Sequence, residues 1–425
     1  MKLLLYSWQA NNEQILADNL IKLGFEVVWF RKECRHYTRD MELAMEMIPC
    51  IHREGIEAVI SFNYFPIISA ICDTSKIPYY AWVYDCPHFT LYAGQVTLPC
   101  NHIGVFDKEM VRNLEKYGVK TVSHVPLSVD TDYFTAVIDK ASVKEKEKYC
   151  CDISFVGSLY TDEHNYYDRF WAELADEVQV CPEIDTVKTN WEETIQKQCF
   201  CYEKDVLRDI FSSSETIAPG KGHAPERMSG LHGNLRELLE EWMRKHGLLL
   251  GEDYFAEIED ILLAVVLEKK VTVEERRWLL SEIASDFGGQ YRFCLYTTSD
   301  LSTLPALRRH HKGIVDYHKQ MPLVFAGSKI NLNLSLRSIH SGIPLRVLDI
   351  LACGGFVLTN FQPEITEFFR EDEEIVIFRS LDECMEKIRY YLQNDTERKA
   401  IAAAGKRKVQ EMFSYRNGLI KLLEG

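Results

Sequence analysis

The sequence predicts an α/β protein of two Rossmann-like lobes facing a cleft, with a helical insertion in the C-terminal lobe. Three observations lead there. Strand and helix signals alternate over residues 1–138, a second such series opens at residue 151, and a Leu-, Glu- and Trp-rich block with few β-branched runs interrupts it over about residues 161–290. The 425-residue length suits two or three domains at roughly 100–200 residues each.

In the first series, residues 2–6 read as a strand. Residues 12–23 follow as a helix, with Ile15, Leu16, Leu20 and Leu23 on one face and Gly24 as its stop. Strands are expected over residues 26–30, 58–62, 77–84, 102–106 and 122–125, and helices over residues 41–53 and up to Tyr117. A glycine at each helix-to-strand joint (Gly24, Gly55, Gly118) fits left-handed helix ends in a doubly wound sheet. Residues 139–150 are charged and read as a linker.

The second lobe, residues 151–425, starts on a strand at residues 152–156 that ends in Gly157 and Ser158. Within the insertion, residues 235–245, 254–268 and 273–287 read as helices. The Gly- and Pro-rich stretch 212–233 reads as a loop, either a lid or a surface excursion. The sheet resumes at residues 291–296, then 330–334, 356–359 and 375–378. Helices are expected over residues 321–326, 345–352, 381–393 and 396–413. A last helix, residues 415–423, is a candidate to cross back to the first lobe.

Bulk properties narrow the function. The net charge of −15 argues against a nucleic-acid partner. No stretch approaches the roughly 18 apolar residues of a membrane span, and the first apolar run stops before Ser7, too short for a signal peptide. A cytoplasmic protein is expected. The 13 cysteines are scattered, many in apolar runs, and lack Cys-x-x-Cys spacing, which fits reduced thiols rather than a metal site. Ser7-Trp8-Gln9-Ala10-Asn11 follows the first strand where a dinucleotide site would carry Gly-x-Gly-x-x-Gly, which speaks against a dehydrogenase or epimerase.

The chemistry concentrates in residues 335–360. A strand runs into a polar, basic loop, and Gly342 and Pro344 introduce a helix whose free N-terminal amides favour an anion. Arg337, His340 and Arg346 cluster there, and guanidinium forks suit a diphosphate. Asp349 lies three residues after Arg346 on the same helix face, where a carboxylate can accept hydrogen bonds from a ribose diol. Spacing alone is equally served by a simple Arg346–Asp349 ion pair. Across the cleft, Asp85 and His88 follow the end of a parallel strand, where open α/β sheets place ligands. Asp85 is a candidate acceptor base or sugar contact, or a turn residue before Pro87. Trp8 and Gln9 face the same cleft.

The run Arg-x-x-Asp-x-Leu-x-Cys-Gly-Gly-Phe-x-Leu-Thr-Asn from Arg346 to Asn360 resembles the C-terminal lobe of the spore-maturation-protein, or CgeB-like, glycosyltransferases, a branch of the GT-B enzymes. Residues 80–88, 125–130 and 152–160 continue the resemblance, which leaves the insertion unsupported. It implies a GT-B fold and transfer of a sugar from a nucleoside-diphosphate sugar, UDP-linked, to an acceptor hydroxyl on a protein or surface glycan, with retention. Asp349 matches the second acid of the Glu-x7-Glu signature, which holds the ribose, whereas the first acid falls on Ser341. Glu367 matches the acidic residue after the next strand, and Gly157 with Ser158 the loop near the phosphates. No Asp-x-Asp motif stands in a suitable place, so no metal or other cofactor is expected. The missing first acid leaves a catalytically silent sugar- or peptide-binding protein as the alternative.

Overall fold

The computed structural model describes residues 1–161, 165–177, 182–207, 210, 233–248, 251 and 253–424. Among these residues eleven strands form two parallel sheets. The first holds β1 (Lys2–Ser7), β2 (Glu26–Arg31), β3 (Ala58–Phe62), β4 (Tyr79–Val83), β5 (Asn101–Val105) and β6 (Val122–His124), in the order β2-β1-β3-β4-β5-β6. The second holds β7 (Cys151–Val156), β8 (Phe293–Tyr296), β9 (Ser328–Asn333), β10 (Val357–Asn360) and β11 (Val376–Phe378), in the order β11-β10-β9-β7-β8. Strand order reverses between β1 and β3, and again between β7 and β9. Doubly wound sheets open their ligand crevice at the carboxyl ends of such strands.

The local rules hold at most joints. Gly24, Gly55 and Gly118 have φ of 91°, 63° and 81°, so each ends its helix in the left-handed region. The joint before β4 departs from the pattern: Lys76 takes φ 57° in place of a glycine. Residues 139–150 also differ from the irregular linker that their charge suggested. They carry the helix Val143–Tyr149, opened by a capping box in which Ser142 and Glu145 bond each other's backbone N–H.

The insertion contains helices Tyr166–Glu177, Pro182–Gln198 and Gly233–Lys245, around a core of Phe170, Trp171, Trp191 and Trp242. The two helices expected over residues 254–268 and 273–287 are one continuous rod from Ile258 to Asp286, with a π-helical stretch at Leu262–Leu267. The stretch 212–233 lies, apart from Gly233, outside the described residues. The insertion also reaches the first lobe: Gly94 N–H donates to Asp253 O (3.0 Å) and Phe255 N–H to Tyr92 O (2.9 Å).

The C-terminal helix Tyr415–Glu424 packs on the first sheet through Tyr415, Leu419 and Leu422, in a cluster with Leu3, Leu5, Ile60 and Trp82. A Cβ on Gly418 would lie 2.2 Å from the Trp82 ring, so only glycine permits this approach. Among the described residues no helix is long and apolar enough to cross a membrane.

Candidate functional site

The loop between β9 and helix Leu345–Ala352 is held on both flanks. Asn360 Oδ1 accepts Ser335 N–H (2.7 Å), Asn333 Nδ2 donates to Thr359 Oγ1 (2.9 Å), and Gln362 Nε2 donates to Ile339 O (3.0 Å). The other lobe completes the hold. Asp107, 1% exposed, follows β5, and its Oδ2 accepts the successive N–H groups of His340 (2.8 Å), Ser341 (2.9 Å) and Gly342 (3.1 Å). A carboxylate of the chain itself thus fills this anion-binding concavity. A Cβ on Gly342 would meet Phe106 at 2.7 Å, so the loop needs glycine here.

Ser341, where the signature expects an acid, is surrounded by acids from elsewhere. Its hydroxyl lies 3.0 Å from Asp107 Oδ1 and 2.8 Å from Glu364 Oε1. Glu364 is 1% exposed, accepts Lys108 N–H (2.9 Å) and pairs with His124 (2.7 Å). Glu367, the acid expected in this region, instead sits half-exposed on the surface and pairs with Lys108. One turn of helix separates the two glutamates, and the inward one is Glu364.

Arg346 and Asp349 do form an ion pair, at 3.3 Å. Arg346 keeps a side-chain exposure of 30%, and its Nε and Nη2 groups have no partner among the described residues. Asp349 is 1% exposed, and Tyr317 donates its phenol to Asp349 Oδ1 (2.8 Å). Burial raises the Asp349 carboxyl to about 6, against the lowering effects of Arg346 and Tyr317. Asn12, in the loop after β1, donates to the Tyr317 oxygen (3.3 Å), so one polar chain crosses from that loop to the second lobe. A ribose reaching Asp349 must displace Tyr317.

The structure directs Arg337 away from the cleft. Its Nε bonds both oxygens of Glu275 (3.1 Å each), Nη1 donates to Cys201 O (3.1 Å), and Nη2 donates to Gln198 O (3.0 Å) and Glu275 (2.5 Å). Glu275 is buried and Arg337 nearly so, and the guanidinium carbon lies 4.0 Å over the Tyr202 ring. Its fork clamps the insertion to the second sheet. His340 also pairs with a buried acid: Nε2 lies 2.7 Å from Glu268 Oε1, whose Oε2 is buried without a partner.

Gly157 and Ser158 lie at the end of β7, and there the structure brings in a residue that sequence reasoning missed. Arg276, 7% exposed on helix Glu268–Asp286, donates from Nη1 to Ser158 O and from Nη2 to Leu334 O, both at 2.5 Å. It therefore ties together the ends of β7 and β9 at the strand-order reversal. Its Nε has no partner, and no carboxylate among the described residues lies within ion-pair distance. Burial holds the Arg276 guanidinium below its ordinary range, with Tyr160 and the Glu275 charge opposing and the nearby Arg346 charge adding a smaller push downward. The available signal was an arginine on the apolar face of a helix, in register with Val273 and Leu280.

In the first lobe, Asn63 (φ 61°) organises the loop after β4. Its Oδ1 accepts Tyr84 N–H (3.0 Å) and Asp85 N–H (3.2 Å), and its Nδ2 donates to Asp85 Oδ2 (2.6 Å). Asp85 is exposed and Oδ1 has no partner among the described residues. His88 belongs to the scaffold: Tyr64 N–H points at its Nε2 (3.1 Å) and Thr90 Oγ1 lies 2.7 Å away. Burial holds the His88 imidazole below its usual range, Asp85 opposing. Trp8 is 39% exposed and Gln9 takes φ 69°. Cys86 Sγ donates to Ser338 O (2.9 Å), which sets the Asp85 loop directly against the 335–344 loop.

Residues 275–424 match a family model described as glycosyl transferase-like. Over 115 residues the chain is 30% identical to an uncharacterised protein of Aquifex aeolicus (strain VF5). That match covers 26% of this chain and 28% of the relative, so the chain spans less than a third of that relative's length. A crystal structure of a glycosyltransferase from Rickettsia africae ESF-5 is similar with a TM-score of 0.55 at 11% identity, covering 100% of this chain and 97% of the other. Sucrose-phosphate synthase from Thermosynechococcus elongatus gives 0.54 at 8% identity, covering 100% and 98%. At such identities the likeness is one of fold, and that fold is the two-lobed GT-B arrangement of glycosyltransferases.

Proposed function

We propose that this chain is a glycosyltransferase of the CgeB-like branch, moving a sugar from a UDP-sugar to an acceptor hydroxyl without a metal ion. The observation that carries the reading is Arg276: a buried cation with no carboxylate in ion-pair contact among the described residues, at the strand-order reversal of a lobe whose sequence matches a glycosyl transferase-like model. Two main-chain carbonyls and the Phe155 and Tyr160 rings compensate this buried charge only in part, and an anionic ligand supplies the rest. Arg276, the free N–H groups of Arg346 and the N-terminus of helix Leu345–Ala352 make a cradle for a diphosphate. These cations are the ground for metal independence.

In the retaining reaction the acceptor oxygen approaches on the face that the diphosphate leaves. A bond forms between that oxygen and the anomeric carbon as the bond from the anomeric carbon to the phosphate oxygen breaks. The electron pair stays on the diphosphate, and the acceptor proton passes to that phosphate oxygen. Arg276 and Arg346 stabilise the charge as it develops. Glu268 supplies the acid that Ser341 lacks: Asp107 and Glu364 are saturated with partners, but Glu268 Oε2 is free.

The test is sugar transfer or donor hydrolysis with a panel of nucleoside-diphosphate sugars in excess chelator. Turnover of a UDP-sugar is expected, with Glu268→Gln losing turnover while keeping UDP binding. Dependence on a divalent ion would overturn the metal-free reading. Tight UDP binding without turnover of any donor would leave a silent binding protein instead.

A further inference from the structure

The carboxyl ends of β1 and β3 carry a feature that donor binding does not use. Three aromatic rings form an array there. Phe65, 6% exposed, is the base; Tyr37 stacks on it (centroids 6.0 Å, 29° between planes) and Trp8 tilts against it (6.5 Å, 56°). The two outer rings are open, Trp8 at 39% and Tyr37 at 50% exposure. Neither ring hangs loose. Trp8 Nε1 donates to Phe62 O (2.9 Å), its backbone N–H donates to Glu13 Oε1 (3.0 Å), and Tyr37 O accepts Ile67 N–H (2.7 Å).

A fixed carboxylate stands beside this array. Asn63 immobilises Asp85 through two hydrogen bonds, with a third to the neighbouring Tyr84 N–H, and leaves Asp85 Oδ1 open. Tyr37 is close enough that the Asp85 charge, after burial and Cys34, helps push its phenol up. The left-handed backbone of Asn63 and Gln9 at the two strand ends is the sort of strain that gathers at ligand sites. Both sides of the array reach the donor lobe, through Asn12 to Tyr317 and through Cys86 to Ser338.

We infer that Trp8, Tyr37 and the Asn63–Asp85 pair form the acceptor site, and that the acceptor presents an uncharged pyranose ring. Rigid aromatic faces receive the apolar C–H face of a sugar ring, while an oriented carboxylate accepts its hydroxyl protons. An anionic acceptor is repelled by Asp85. A bare serine or threonine side chain has no ring to cover the two open aromatics. The role of Asp85 is orientation, because in the retaining step the acceptor proton leaves with the phosphate oxygen. The inference rests on the glycosyltransferase reading for the word acceptor, but ring binding is testable without it.

The test is saturation-transfer NMR on the full chain with methyl α- and β-pyranosides of glucose, galactose, mannose and N-acetylglucosamine, beside a serine/threonine peptide pool. UDP binding is measured in parallel. At least one pyranoside should show transfer to its C–H protons, about tenfold weaker binding in Trp8→Ala and Tyr37→Ala, and near-normal binding in Trp8→Phe. UDP binding should be unchanged in all three variants. The site is overturned if no pyranoside binds the wild type, if Trp8→Ala binds as well as wild type, or if only peptides bind. Pyranoside binding that needs Trp8 in a chain that ignores every nucleoside diphosphate supports the ring site and sinks the donor reading alone.

Discussion

Asp107 and Ser341 meet across the cleft between the lobes, the carboxylate receiving both the Ser341 N–H (2.9 Å) and its hydroxyl (3.0 Å). Ser341 is the position at which the Glu-x7-Glu signature that the sequence resembles carries an acid. Here a first-lobe carboxylate holds that position by its backbone and hydroxyl, so the loop is fixed by a contact that sequence spacing does not show. Asp107→Ala takes the acceptor from four backbone N–H groups, three in the loop and that of Met110 in the helix it caps, and should cost about 3 kcal/mol or more in urea unfolding. A loss below about 1 kcal/mol would show that the contact is not held in solution.

Restoring the signature should therefore harm the protein. Ser341→Glu brings a third carboxylate against Asp107 and Glu364. The expected outcome is a lower melting temperature with no gain in turnover. A variant of normal stability and higher turnover would contradict this account of the loop.

Arg337 and Arg346 should separate cleanly. Arg337→Ala leaves the buried Glu275 unpaired and should lower stability by about 3–5 kcal/mol, with UDP affinity kept in the protein that remains folded. Arg346→Ala should lose turnover with a smaller loss of stability than Arg337→Ala, because Asp349 keeps the Tyr317 hydrogen bond and takes up a proton more readily. The reverse pattern would return Arg337 to the cleft.

Asp349 predicts a pH dependence of stability. Its carboxyl rises from 3.8 to about 6 on folding, so the native state holds the proton more tightly than the unfolded chain. The contribution is full below about 4 and is lost as pH rises through about 6, on the order of 3 kcal/mol at most. Denaturant titrations at several pH values should show wild type gaining on Asp349→Asn as pH falls across that window. Parallel curves would mean that the carboxylate is not buried in solution.

What the sequence disclosed follows from how local each signal is. Helix Leu345–Ala352 and strand Ala58–Phe62 were legible to the residue, because Pro344 and the β-branched run mark them within a few positions. Arg337 was misread because its partner, Glu275, lies 62 residues earlier in the insertion. Glu364 was passed over for Glu367 because spacing does not tell which glutamate of a short helix turns inward. Arg276 left almost no pattern, since its partners are main-chain carbonyls, which any residue supplies.

The central claim is that an anion belongs beside Arg276. Calorimetric titration of UDP and of uridine into wild type and Arg276→Gln tests it most directly. The account predicts UDP affinity reduced about 30-fold or more, with uridine unaffected and Arg276→Lys in between. Equal UDP affinity in wild type and Arg276→Gln would contradict it.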